Sequence, residues 1–318
     1  MKRLLSLLLA ACASGAFAQA FPTRPITMIV PYAAGGSADV VARPVAAEMG
    51  KVLGENVVVE LRPGAGGNIG AEHVARSARA DGYTILMASL SLATNVSLMK
   101  LGFDPRKDLS AIGGITTFPN VLLVSSQDPA RTLQDIVARA RQEPARLTYG
   151  SSGPGTSSHL AGELLGAAAN IQLVHVPYKG SGAVYPDLIA RRVTMLFDLA
   201  GSASGHVKGG QVRPLAMTGA RRASALPDVP TFAESGFPGF EFGAWLGLFA
   251  PNETPKEVLA RLEDAMLKSI QTPEMKNRLG QLGGEPIPAR AAEFWKFFNE
   301  DVARYERLAR EGKVKPIQ

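Results

Sequence analysis

The stretch "IVPYAAGGSADVVAR", Ile29 to Arg43, decides how the rest of the chain is read. An apolar run ends at Pro31-Tyr32, breaks into Ala-Ala-Gly-Gly, and resumes at Ser37 as an Ala/Val-rich helical pattern. Strand, glycine turn and helix start make one βα unit. Its uncommitted backbone N–H groups sit where a helix dipole favours an anion. A nucleotide phosphate, a reaction intermediate and the carboxylate of a bound solute all suit such a cradle.

Outward from this unit the alternation repeats. Strands are predicted at residues 26–32, 56–62 and 83–89, with helices over 37–53 and from 69 to about 79. A second series begins at "NVLLVSS" (120–126) and continues through strands in "ARLTYG", "IQLVHVPY", "VTMLFD", "VRPLAMTG" and "WLGLFAP". Helices are expected at "TSSHLAGELLGAAA" and "GAVYPDLIA", and from Pro255 to about Arg310 with breaks at "TPEM" and "GGEPIPAR". Near-continuous apolar strands between helices predict an α/β fold of doubly wound, mostly parallel sheets covered on both faces. At 318 residues the chain suits two lobes, here 21–121 with 220–318 and 122–219, facing each other across a ligand cleft.

Residues 1–20 read as a leader. Lys2-Arg3, the apolar "LLSLLLAA" and the small-residue "AFAQA" predict a signal peptide and a periplasmic protein. Cys12, the single cysteine, also fits a lipid-attachment box in "LAAC", and leaves no disulfide for the fold. No later stretch reaches about 18 consecutive apolar residues. Without Lys2 and Arg3 the formal charge falls from +6 to +4, and the basic residues are scattered. Nucleic acid is a poor partner for such a surface.

Six loops follow predicted strands: "YAAGGSAD", "RPGAGGNIG", "SLSLATN", "YGSSGPGTSSH", "VPYKGSG" and "FDLAGSAS". In α/β sheets that position, beyond the carboxyl ends, is where ligands bind. Catalytic and nucleotide motifs fail on spacing. Ile69 stands where a dinucleotide fingerprint needs its third glycine, and no Gly-Lys-Ser/Thr occurs. Neither Ser151 nor Ser152 sits in G-x-S-x-G, and the four histidines lack metal-ligand spacing. Asp39 reads as a first-turn, dipole-stabilising residue. Asp198 either accepts from a ligand or caps the next helix. Lys179 is either a charge for the anion or a solvated lysine, and Trp245 and Phe118 are either cleft wall or core.

Taken together, these loops resemble the periplasmic solute receptors of tripartite tricarboxylate transporters, often called the Bug family. The resemblance runs in order through "FPTRPITMIVPYAAGGSADVVAR", "ENVVVELRPGAGGNIGAEHVA", "DGYTILMAS", "YGSSGPGTSSHLAGELL", "VHVPYKGSGAVYPDLIARRVTMLFD", "RPLAMTGARRASALPDVPTFAESG" and "WLGLFAP", nearly the whole chain after the leader. It implies a type II periplasmic binding fold, no catalysis, no cofactor and no metal. It also implies a monomer that delivers a small carboxylate to a two-component inner-membrane permease. The same shell serving a sensor kinase is the alternative partner, and an esterase using the Ser/His loop the alternative chemistry. Carried over, Tyr32, Ala34, Gly35, Gly36 and Ser37 contact a ligand carboxylate from one lobe. Ser152, Gly155, Thr156, Ser157 and His159 close on it from the other. Asn68, Ser89 and Asn95 line one edge, with Tyr178, Lys179 and Asp198 opposite. The sequence departs from the family pattern with Ala-Val-Tyr at 183–185 and with Asn95-Val96 in place of Asn-Pro, and the second departure bears on which acid is bound.

Overall fold

Ile26–Val30 forms β1, which stops at Pro31, a residue with no N–H to extend a ladder, before helix α1 (Ser37–Leu53) begins. The computed structural model describes residues 21–32, 34, 37–178, 180–285, 287, 289–312 and 314. The expected leader with Cys12, and Gly35, Gly36 and Lys179 of the expected site, lie outside these residues. Strands β2 (Val57–Leu61) and β3 (Thr84–Ser89) flank β1 and run parallel to it. The helix expected from 69 to 79 is shorter: α2 (Asn68–Glu72) passes into a π turn at His73–Ser77.

Two helices absent from the sequence reading, α3 (Ser91–Leu98) and α4 (Pro105–Asp108), lead into β4 (Leu109–Ser125), 17 residues long. The sequence reading begins this strand at Asn120, because Gly113, Gly114, Thr116 and Thr117 interrupt the apolar run before it. Then follow α5 (Leu133–Gln142), β5 (Thr148–Ser151), α6 (Ser157–Ala169), β6 (Val174–Pro177), α7 (Tyr185–Ile189), β7 (Met195–Leu199), α8 (Ala200–Lys208) and β8 (Val212–Met217). The chain returns through β9 (Gly243–Pro251) to α9 (Lys256–Gln271), α10 (Pro273–Gln281) and α11 (Ala291–Arg310).

The strand order is β2-β1-β3-β9-β4-β7-β5-β6, with β8 also on β4. β4 belongs to both halves: Leu109 to Pro119 pair with β9, whereas Asn120 to Ser125 pair with β7 and β8. Partners change at Pro119, which has no N–H to give a ladder. The sheet is mixed rather than mostly parallel, since β9 opposes β3 and β4, and β4 opposes β7 and β8. The reason is connectivity. A strand arriving from one half enters the other at its carboxyl end, so it must run against the βα strands there.

That crossing fixes where the loops go. Ser89, at the end of β3, is level with Leu246 and through it with Thr116 of β4, while Leu199, at the end of β7, is level with Asn120. Four residues of strand, roughly 13 Å, separate the carboxyl ends of the two halves.

Apolar faces cover the sheet. α9 packs on α1, and α11 on α3 and β4. Trp245 is fully buried and its indole N–H donates to Asp301 Oδ2 at 2.8 Å. Phe118 is also in the core, so both aromatic residues that the sequence left open are packing residues, each contributing about 1.5–3 kcal/mol by burial. No helix among the described residues is long and apolar enough to cross a membrane.

Candidate ligand-binding site

The loop after β1 is held by a cluster of hydroxyls. Tyr32 Oη hydrogen-bonds to Ser89 Oγ (2.5 Å) and Ser91 Oγ (2.7 Å), which joins the ends of β1 and β3. Burial raises the Tyr32 pKa, so the phenol stays protonated and can donate. Ala34 beside it is exposed, and Ser37 opens α1. Asp39, in the first turn, pairs with Arg43 of the same helix at 2.8 Å. Gly67 lies against Tyr32 with φ +98°, and a Cβ there would sit 3.1 Å from the ring. One residue on, Asn68 Oδ1 accepts from Asn95 Nδ2 at 2.9 Å, and Asn95 Nδ2 also reaches Gly66 O. Tyr32 after β1, Asn68 at the start of α2, Ser89 at the end of β3 and Asn95 in α3 thus stand at one sheet end.

In the second half, β5 ends at Ser151 and the chain wraps into α6. Ser158 Oγ accepts from the Ser152 N–H (2.8 Å) and bonds the hydroxyls of Ser152 (2.8 Å) and Thr156 (3.0 Å). Thr156 Oγ1 donates to Gly153 O (2.6 Å), so the residue placed to cap α6 turns its oxygen elsewhere. Among the described residues no side chain caps this helix start. A helix that leaves its first N–H groups open favours an anion there.

His159 is a brace. Its Nδ1 accepts the Gly155 N–H at 3.1 Å, and its ring stacks on His175 with centroids 4.1 Å apart. Burial lowers its pKa to about 4, which keeps the acceptor lone pair. His175 in turn bonds Ser151 Oγ at 2.6 Å. The Ser151–His175 pair has its serine fully buried, and Ser152 and His159 do not bond each other, so among the described residues the loop offers the esterase reading no accessible nucleophile–base pair.

Opposite lie Tyr178 and Asp198. Tyr178 Oη donates to Asp187 (2.6 Å), which with burial pushes its pKa up to about 12. Asp198 is buried, and its pKa is raised by that burial. Its oxygens accept from Tyr185 Oη (2.8 Å), Ser202 Oγ (2.8 Å) and the Leu199 N–H (2.9 Å). These bonds tie the end of β7 to Tyr185 of α7 and Ser202 of α8, while no side chain among the described residues caps α8.

The candidate residues that the structure describes include no lysine or arginine. An acid here would be held by N–H and hydroxyl dipoles. Among the described residues no group of three or more His, Cys, Asp or Glu is placed to hold a metal. A cavity of about 230 Å³ does lie at the crossing, but Thr117, Pro119, Arg221, Phe242, Asp301 and Tyr305 are among its lining, and none of the candidate residues is. Sequence reasoning missed Ser91, Ser158 and Tyr185, whose hydroxyls order these loops.

A model of the tripartite tricarboxylate transporter family receptor matches residues 41–313. A protein in the tcbD-tcbE intergenic region of Pseudomonas sp. (strain P51) is 38% identical over 94% of this chain and 89% of its own. The structure of the periplasmic binding protein BugD is 34% identical, with a TM-score of 0.81 over 93% of this chain and 100% of that one. R. palustris Rpa4515, solved with adipate, is 32% identical, with a TM-score of 0.82 over 93% of this chain and 100% of that one.

Proposed function

The chain belongs to the tripartite tricarboxylate transporter family of receptors, periplasmic solute-binding proteins rather than enzymes, and from that premise we propose that it captures a small carboxylate and hands it to a membrane permease. The observation that carries the reading is an uncapped start of α6 in one half and a hydroxyl-lined cluster in the other, at strand ends that only a few residues of β4 separate. A carboxylate there gains from the helix dipole, by up to about 2 kcal/mol in a partly buried geometry. The adipate on Rpa4515 supports the same ligand class.

Residues 21–121 with 220–318 act as one lobe and 122–219 as the other. Their pivot is the crossing, where Thr218 ties the passing chains together: its N–H donates to Asn120 O, its hydroxyl to Phe242 O, and its carbonyl accepts the Phe242 N–H. Tyr32, Ala34 to Ser37, Asn68, Ser89 and Asn95 meet the acid from the first lobe. Ser152, Gly155, Thr156 and Ser157 meet it from the second, with His159, Tyr178 and Asp198 holding the loops in shape and Lys179 supplying charge to the anion. The leader exports the chain, and as a monomer it presents both closed lobes to a two-component permease.

Uptake of labelled adipate and malate by cells with and without this chain, both expressing the permease, tests delivery. Deletion should abolish uptake of the acid that is carried. Uptake indifferent to the deletion contradicts delivery and leaves presentation to a sensor kinase.

A further inference from the structure

We propose that Asn120 is a ligand-contacting, specificity-determining residue: its side-chain amide donates to the carboxylate that enters at the start of α6. The inference rests on the carboxylate reading above. Asn120 is the first residue of β4 on the second-half side of the crossing, level with Leu199 and wholly buried. Its backbone is spent, the N–H on Thr218 Oγ1 at 2.9 Å and the carbonyl on the Thr218 N–H at 2.8 Å.

The side chain is half used. Oδ1 accepts from Ser157 Oγ at 3.4 Å, and Ser157 is the first residue of the uncapped helix α6. Nδ2, with two hydrogens to give, has no hydrogen-bond partner among the described residues. A buried donor without a partner is a standing cost that a leucine of similar size would avoid. Anchoring Oδ1 to Ser157 keeps the amide beside the helix start, where the dipole already favours negative charge. A carboxylate oxygen bound there satisfies Nδ2 and the helix together. The occupancy of the site is then felt by a residue whose backbone is part of the pivot.

Two variants separate this from a packing role. Asn120→Leu removes the donor and the unpaired amide, and Asn120→Asp puts a carboxylate where the ligand's would lie. Malate, adipate and citrate serve as probes in calorimetric titration, with thermal unfolding of each ligand-free protein. The expected result is a loss of affinity of roughly tenfold or more for Asn120→Leu. A larger loss is expected for Asn120→Asp, while the ligand-free leucine variant melts no lower than the wild type. Affinities kept within threefold in folded variants, or a lowered melting temperature with binding intact, overturn the assignment and leave Asn120 as packing. A wild-type chain that binds none of the probes overturns the carboxylate reading and this assignment with it.

Discussion

His159 shows how a residue at a loop-helix junction works by what it stays free of. Burial drives its pKa and that of His175 down to about 4, and the His159 ring adds to the effect at His175 while Glu163 opposes it. Imidazole chemical shifts of both should therefore remain those of neutral rings down to about pH 5, and a midpoint near 6.5 for either would contradict the bracing role. The linkage sign follows. The unfolded chain takes up these protons near pH 6.5 and the folded chain only near 4. Stability is thus full above 6.5 and falls as pH drops toward 4, by at most about 1.4 kcal/mol per pH unit for each ring. Burial of Asp198 acts in the opposite sense in acid, where protonating it relieves the cost of the buried charge. The family resemblance puts His159 among the ligand contacts. Which nitrogen meets which N–H is a tertiary fact that spacing does not carry.

At the scale of elements, the loop before α2 packs closely on Tyr32. Gly67 has a positive φ of +98°, and a Cβ there would crowd the Tyr32 ring at 3.1 Å. Gly67→Ala should cost about 1–2 kcal/mol, tilt the Tyr32 ring off Ser89 and Ser91, and weaken ligand binding. Thermal unfolding and titration check it; an unchanged affinity would mean that the hydroxyl cluster takes no part in binding. Elements with continuous apolar runs were legible. The stretch 37–53 was read as a helix to its ends, and the strands ending at Ser89, Ser151 and Pro251 were placed within a few residues. What escaped lacked contrast. β4 hides behind two glycines and two threonines, α3 looks like a serine-rich loop, and α5 is a short helix whose Thr132–Asp135 capping box lies in a polar stretch. The antiparallel pairings were invisible because they follow from how the chain passes between the halves rather than from any local pattern.

For the whole molecule, the two halves meet away from the strands at Gly201 of α8 and the turn after α10. A Cβ on Gly201 would lie 1.8 Å from Leu282 O, and one on Gly283 would lie 2.7 Å from the Gly201 nitrogen. Gly201→Ala cannot keep this backbone contact, so the halves should separate. Small-angle scattering should give a larger radius of gyration and titration a lower affinity, whereas an unchanged radius would show that the contact does not set the lobe angle. The family to which the chain belongs consists of solute-binding receptors rather than enzymes, and the proposed role is to hold a small acid and release it unchanged. The most direct test is calorimetric titration of the mature chain with malate, adipate and citrate, followed by NMR of the recovered acid. The account predicts that at least one binds one to one and is returned unaltered. Failure of all three to bind, or chemical conversion of any, would contradict it.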